Sequence, residues 1–159
     1  MLKQKITEAL TTYAGASLWV AHYDLAISIQ LKSKGYYTLS DNLRTIYHNH
    51  SLQSIEIYDY IAKQGSLPQI HDVTDIPIEF GQICEAIEHS LVQTIRLTDA
   101  LESLMDILLQ AKDHTTYATF QYLLKEQFEE EVLLTKIIDK LKYCDSEKKH
   151  RILQIIDLL

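Results

Sequence analysis

Residues that interrupt regular structure are scarce in this sequence. Its 159 residues include four glycines, two prolines and two cysteines. Both prolines, Pro68 and Pro77, fall in one stretch after Gly65, so the rest of the chain can form long helices. Two cysteines without a C-x-x-C pair do not make a disulfide framework or a zinc site. We therefore expect a helical protein of the reducing cytoplasm.

Two further absences limit the classes of function. The sequence has no run of about 18 uncharged apolar residues, and its first residues lack the apolar core of a secretion signal, so we expect no membrane partner. Acidic residues outnumber basic ones, 22 to 15, which gives a net charge of -7. A nucleic-acid partner is not expected, because such proteins carry an excess of Lys and Arg to neutralise phosphates.

Four segments instead carry apolar residues at helical spacing, and together they provide for one sizeable core. Near the middle of each apolar stripe, polar residues replace apolar ones: Ser17 and Asp24 in the first, His50 and Gln53 in the second, Ser90 and Thr94 in the third, and Gln127 with Glu130 or Glu131 in the fourth. Stacked as a bundle, these side chains would meet inside the core, where an unpaired polar group costs a few kcal/mol. A metal or a closed hydrogen-bond network would each account for such a layer.

Turn and capping residues divide the chain into helices. The predicted ranges are 3–32 for helix A, 38–64 for helix B, 77–112 for helix C, 117–143 for helix D and 147–159 for a short helix E. Helix B would start at a Thr38–Asp41 capping box, and helix C would start near Pro77 with Asp75 as its cap. Residues 1–144 would form the bundle, and residues 145–159 a short C-terminal helix of the same domain.

The connection between helices B and C is long enough to cross the whole bundle. Residues 65–75, if extended, reach roughly 35 to 40 Å, and helix B is about 40 Å long. This length predicts a crossover that leaves helices B and C parallel, whereas the short A–B connection makes those two helices antiparallel.

Several stretches of the sequence resemble the bacterial non-haem ferritins. The most specific are EQFEEE at 126–131 and KIIDKL at 136–141, together with YDYI at 58–61 and GSLP at 65–68. The resemblance implies an all-α, ferritin-like four-helix bundle with a long B–C crossover and a short fifth helix. It also implies self-association into a large homo-oligomer, of the hollow 24-subunit kind that stores ferric mineral. Iron is then the expected metal, and no organic cofactor is implied.

The same resemblance identifies where this chain departs from the family pattern. Ferritins of this kind hold two irons with a Glu on helix A, a Glu-x-x-His on B, a Glu on C, and a Gln and a Glu on D. In this sequence, the positions that match these family ligands hold Ser17, His50, Gln53, Ser90 or Thr94, Gln127 and Glu130. Only the helix D pair matches. Asp24, His50 and Glu130, with the neutral oxygens of Gln53 and Gln127, would hold one divalent ion but not two.

Three hypotheses follow from these residues. The first is an iron-storage cage subunit with a degenerate di-iron centre, which lacks strong ferroxidase activity. It would bind iron on its way to the cavity at the acidic cluster of Glu126, Glu129, Glu130 and Glu131. The second is an unusual ferroxidase or single-metal oxidase built on Asp24, His50 and Glu130. The third is a structural or partner-binding protein without metal. Co-assembly with a catalytic ferritin subunit is compatible with the first.

Overall fold

Long helices run side by side through residues 2–143, the part of the chain that this computed structural model describes. They are α1 (Gln4–Ser33), α2 (Tyr37–Lys63), α3 (Ile83–Gln110), α4 (His114–Phe120) and α5 (Tyr122–Lys142). The short α4 and the long α5 together form predicted helix D, with a break at Gln121. The predicted all-α four-helix bundle is confirmed. Predicted helix E, at 147–159, lies outside the described residues.

Two apolar clusters fill the two ends of the bundle. One joins the end of α1 and the end of α5 to the beginnings of α2 and α3, through residues such as Leu31, Leu39, Ile87 and Leu141. The other joins the opposite ends of these helices. Because α2 and α3 begin at the same end, they are parallel, as the predicted crossover requires. Within residues 2–143, no helix is long and apolar enough to span a membrane.

The crossover, residues 64–82, lies along α1 and is held there by hydrogen bonds. Trp19 Nε1 donates to the carbonyl of Thr74 over 2.8 Å. Further along α1, Gln30 accepts from the backbone N–H of Phe80 over 2.7 Å and donates to the carbonyl of Gly81 over 2.9 Å. The crossover therefore follows α1 from its middle towards its C-terminal end.

The beginning of α3 corrects one prediction. Helix C was expected to begin near Pro77 with Asp75 as its cap, but Asp75 has a left-handed φ of 61° and α3 begins at Ile83. The cap is a box at Gln82, whose backbone N–H donates to Glu85 Oε2 over 2.7 Å. Gly81, with φ 76°, turns the chain into that box. The Pro77 signal was misleading because proline also suits the extended chain of the crossover.

The beginning of α2 corrects a second prediction. The expected Thr38–Asp41 capping box does not form, since α2 begins at Tyr37 and its N-cap residue, Tyr36, makes no side-chain capping bond. By contrast, Asp113 caps α4 by accepting from the backbone N–H of Thr116 over 3.0 Å.

A polar layer and an acidic groove between α2 and α5

The predicted polar residues form a layer between the two apolar clusters. Seven of them are buried: Ser17, Asp24, His50, Gln53, Ser90, Thr94 and Gln127. The side chain of Glu130 reaches the edge of the layer and is 11% exposed. The helical spacing thus predicted correctly which side chains point inward.

An ion pair between His50 and Glu130 occupies the middle of the layer. His50 Nε2 lies 2.8 Å from Glu130 Oε2, and Thr94 donates to Glu130 Oε1 over 2.8 Å. The other ring nitrogen of His50 lies 3.4 Å from Ser17 Oγ. Burial lowers the pKa of His50, but the charge and hydrogen bond of Glu130 and the charge of Asp24 outweigh it, so the pKa is raised. The imidazole is thereby favoured in its cationic form.

Asp24 lies apart from that ion pair and is bonded to α3. Its Oδ1 accepts from Ser90 Oγ over 2.6 Å, whereas its Oδ2 has no hydrogen-bond partner within residues 2–143. The residue is 0% exposed, and burial raises its pKa from 3.8 to about 7, against the lowering effect of the Ser90 bond. Asp24 therefore exchanges its proton near neutral pH.

The layer opens on one side into an acidic groove between α2 and α5. We call this feature the α2–α5 groove. It has a volume of about 500 Å³ and is lined by Asn42, Thr45, Ile46, Asn49, Gln53, Glu126, Glu129, Glu130 and Leu133. Gln53 Nε2 donates to Glu126 Oε2 over 2.6 Å, which joins the two walls. Glu129 is exposed and lies 3.6 Å from Lys125 on the same helix.

Gln127 and Glu131 face α3 instead of the groove. Gln127 Nε2 donates to the carbonyl of Thr94 over 3.3 Å and to Thr98 Oγ1 over 3.2 Å. Thr98 in turn donates to Glu131 Oε1 over 2.6 Å. These contacts join α3 to α5. Of the two carboxylates predicted for the fourth stripe, Glu130 and Glu131, Glu130 is therefore the one that points into the layer.

Comparison with known sequences identifies the family. The sequence profile of the ferritin-like domain matches residues 7–144. The chain belongs to the ferritin family. It is similar to the bacterial non-heme ferritin of Bacteroides fragilis, with 23% identity over 142 residues and 89% of each chain covered. The bacterial non-heme ferritin of Staphylococcus aureus is 26% identical over 141 residues, with 89% of this chain and 85% of the relative covered.

Solved ferritins have the same fold. An open-pore ferritin from the hyperthermophilic archaeon Archaeoglobus fulgidus superposes with a TM-score of 0.92 at 23% identity, covering 99% of this chain and 98% of that one. The Chlorobium tepidum ferritin gives a TM-score of 0.85 at 24% identity, with 98% of each chain covered. Helix packing is therefore common to these proteins even though most residues differ.

The seven candidate metal ligands of this protein divide into separate groups. Gln53, Glu126, Glu129 and Glu130 meet in the α2–α5 groove. His50 forms an ion pair with Glu130 and a hydrogen bond with Gln53, while Asp24 bonds to Ser90 and Gln127 bonds to α3. Among the residues described, no three His, Cys, Asp or Glu side chains are placed together to hold a metal ion.

One buried polar group beside the layer was not predicted from the sequence. Tyr13 is on the inward stripe of α1, one turn before Ser17, and it was counted there among the apolar residues. Its phenol oxygen is buried, and within the described chain it has no hydrogen-bond partner. Burial raises the pKa of this phenol, and the charges of Glu130, Tyr122 and Glu126 act in the same direction. In the sequence, the signal that could have identified this group was a tyrosine one helical turn from a predicted polar position.

Proposed function

We propose that this chain is an iron-storage ferritin subunit that binds iron in the α2–α5 groove and not at a di-iron centre inside the bundle. One observation carries the proposal. The carboxylate of Glu130, which the resemblance assigns to the centre, is bonded to His50 and Thr94, whereas Glu126 and Glu129 line an open groove. Carboxylate oxygens are hard ligands, which suit iron.

The charge inside the layer argues against two irons there. Three family carboxylate positions hold Ser17, His50 and either Ser90 or Thr94. His50 brings its own positive charge when protonated, so Glu130 is already neutralised without metal. Two further cations in a buried layer without matching anions would be strongly disfavoured. We therefore infer a degenerate centre and no strong intrinsic ferroxidase activity.

The proposal also covers the oligomeric state and the cellular compartment. We infer that the subunits form a large homo-oligomer, of the 24-subunit kind, in the cytoplasm. Iron would reach the groove already oxidised, or be oxidised there slowly, and a catalytic ferritin subunit in the same shell would supply the fast reaction. Membership of the ferritin family and the shared fold support a storage role.

Metal analysis of the purified native assembly tests this function. We expect many iron atoms per subunit after aerobic loading, and slow loading without a rapid phase. In the Glu126→Gln/Glu129→Gln variant, initial iron uptake should fall about tenfold, because two charged oxygen ligands are lost. Glu102→Gln is the matched control, since Glu102 is an exposed carboxylate on α3 away from the groove.

Each alternative predicts a different result from the same loading experiment. Rapid uptake that stops at two Fe(II) per subunit would establish an intact ferroxidase. Uptake that depends on His50 and Asp24 but not on Glu126 would support a single-metal oxidase inside the bundle. Native particles that take up no iron would leave a structural or partner-binding protein.

A further inference from the structure

We propose that the α2–α5 groove is a docking site for the basic segment 148–151 of the same chain, which competes there with iron. The inference rests on the proposed iron-binding function and names a regulator of that site. Residues 144–159 lie outside the described residues, so only their sequence bears on it.

The groove carries negative charge without a matching cation. Within the described chain, its lining includes three glutamates but no lysine or arginine. Glu130 is paired with His50, whereas Glu126 accepts a hydrogen bond from a neutral amide. Glu129 lies 3.6 Å from Lys125, but both side chains are exposed, and such a pair contributes little. Two carboxylates of the groove therefore remain available to a cationic partner.

An apolar hollow adjoins the groove on α5. Its volume is about 230 Å³, and it is lined by Phe128, Glu129, Val132, Leu133 and Lys136. Glu129 and Leu133 also line the groove, so the two features are continuous. Phe128 is 66% exposed. A segment that fits both features needs cationic side chains followed by apolar ones.

The sequence after α5 has this pattern. Lys148, Lys149 and Arg151 come first, and isoleucines follow at 152, 155 and 156. The cations complement the carboxylates of the groove, and the isoleucines complement the apolar hollow beside it.

The chain is long enough to bring this segment to the groove of its own subunit. Leu133, at the end of the groove nearest the end of α5, lies about 15 Å back along the helix from Tyr143. Residues 144–148, if extended, reach roughly 16 Å. The lysines therefore reach the groove once the chain turns back along α5.

Iron and the lysines would compete for the same carboxylate oxygens. An exposed ammonium–carboxylate pair is weak and exchanges readily. Iron binds carboxylate oxygens directly, as hard ligands. The segment would therefore occupy the groove while iron is scarce and would slow the first stage of uptake when iron arrives.

Carbodiimide cross-linking of the iron-free native assembly tests the docking, since this reagent joins a lysine amine to a carboxylate only when the two are in contact. Peptide mass spectrometry should identify Lys148 or Lys149 joined to Glu126 or Glu129, in a product that runs as a single chain on a denaturing gel. The Lys125–Glu129 pair, 3.6 Å apart, is the internal control, because it should be joined in every sample.

Iron uptake tests the competition. Lys148→Gln/Lys149→Gln should raise the initial rate of iron uptake by the native assembly about fivefold, a modest change because exposed ion pairs are individually weak. Lys3→Gln/Lys5→Gln is the matched control, since it removes the same charge from two exposed lysines at the beginning of α1, outside the groove.

The outcomes separate docking from iron binding. If Lys125 is joined to Glu129 but neither Lys148 nor Lys149 is joined to a groove carboxylate of its own chain, the docking is refuted, and the iron function still depends on the Glu126→Gln/Glu129→Gln result. If the docking cross-link forms but Lys148→Gln/Lys149→Gln takes up iron no faster than wild type, competition with iron is refuted. If that cross-link forms and no sample takes up iron, the proposed storage function fails and the docking stands.

Discussion

A single histidine changes the character of the polar layer. His50 occupies a family position for a carboxylate, and its ring forms an ion pair with Glu130 inside the bundle. When it is protonated, the imidazole offsets the negative charge of Glu130 without any metal. Hydrogen bonds link Ser17 through His50 and Glu130 to Thr94.

His50→Leu should destabilise the protein by about 3 kcal/mol, because it leaves the Glu130 carboxylate without its partner. Urea denaturation of the variant measures this loss. The His50→Leu/Glu130→Leu double variant should recover most of the stability, since removing both partners leaves no unpaired charge. A double variant that is less stable than the single one would show that the pair is not the source of the effect.

The stability of the protein should fall as pH rises from about 4 to 8. The pKa of Asp24 is raised from 3.8 to about 7 in the folded state, so its contribution is complete below about 3.8 and is lost as pH rises from there through about 7. His50 acts in the same direction, because its raised pKa gives a contribution that is complete below about 6.5 and is lost at higher pH.

Urea midpoints at several pH values test this dependence. Asp24→Asn should flatten the profile, since the amide keeps an acceptor for Ser90 and does not titrate. A wild-type profile that is level or rises over this range would contradict the assignment of neutral Asp24 and cationic His50.

Sequence alone predicted the positions of the polar layer but not its partners. Helical periodicity placed His50 and Asp24 inside, and left Glu130 or Glu131 open, because that inference needs only spacing along one helix. The choice of Glu130 for His50, and of Ser90 for Asp24, depends on the relative height and rotation of helices distant in the chain. One sequence contains no measure of either quantity.

Helix ends were predicted well where glycine marks them and poorly where side chains compete to form a cap. Gly35 and Gly65 follow α1 and α2 closely, and both have positive φ. At the start of α3, Pro77 predicted a beginning six residues too early, since the helix begins at Ile83. The crossover bonds of Gln30 to Phe80 and Gly81 hold residues 80–81 outside the helix, and these long-range contacts are not readable from local sequence.

Gly81→Ala should destabilise the protein by about 1 kcal/mol more than Gly35→Ala. Both glycines have a left-handed φ, 76° at Gly81 and 87° at Gly35, so alanine is strained by a similar amount at both positions. Only at residue 81 would the new methyl group clash with the Glu85 carboxylate, which closes the capping box of α3. Urea denaturation of the two variants provides the comparison, and equal losses would mean that the box contributes nothing.

At the scale of the whole molecule, apolar side chains remain exposed on the crossover. Leu67 is 92% exposed and Ile78 is 90% exposed. Exposed apolar surface of this kind is covered in assemblies, which agrees with the proposed homo-oligomer.

Ile78→Glu should shift the protein from a large particle towards smaller species, because it places a charge where we expect apolar contact between subunits. Analytical ultracentrifugation measures the distribution. Gln69→Glu is the control, since it adds the same charge on the same crossover without removing an apolar side chain. Wild-type protein that sediments as an 18.4 kDa monomer at micromolar concentration would rule out the assembly.

The crossover also has a consequence for the order of folding. The α1–α2 hairpin closes through residues 34–36, and α3 is followed directly by α4, so each half of the bundle closes through a short loop. The crossover bonds at Trp19 and Gln30 span 50 to 55 residues and need α1 to be helical already. We therefore expect two rapidly formed hairpins, followed by a slower docking step in which the crossover settles on α1. Trp19 fluorescence in stopped-flow refolding would follow that last step directly.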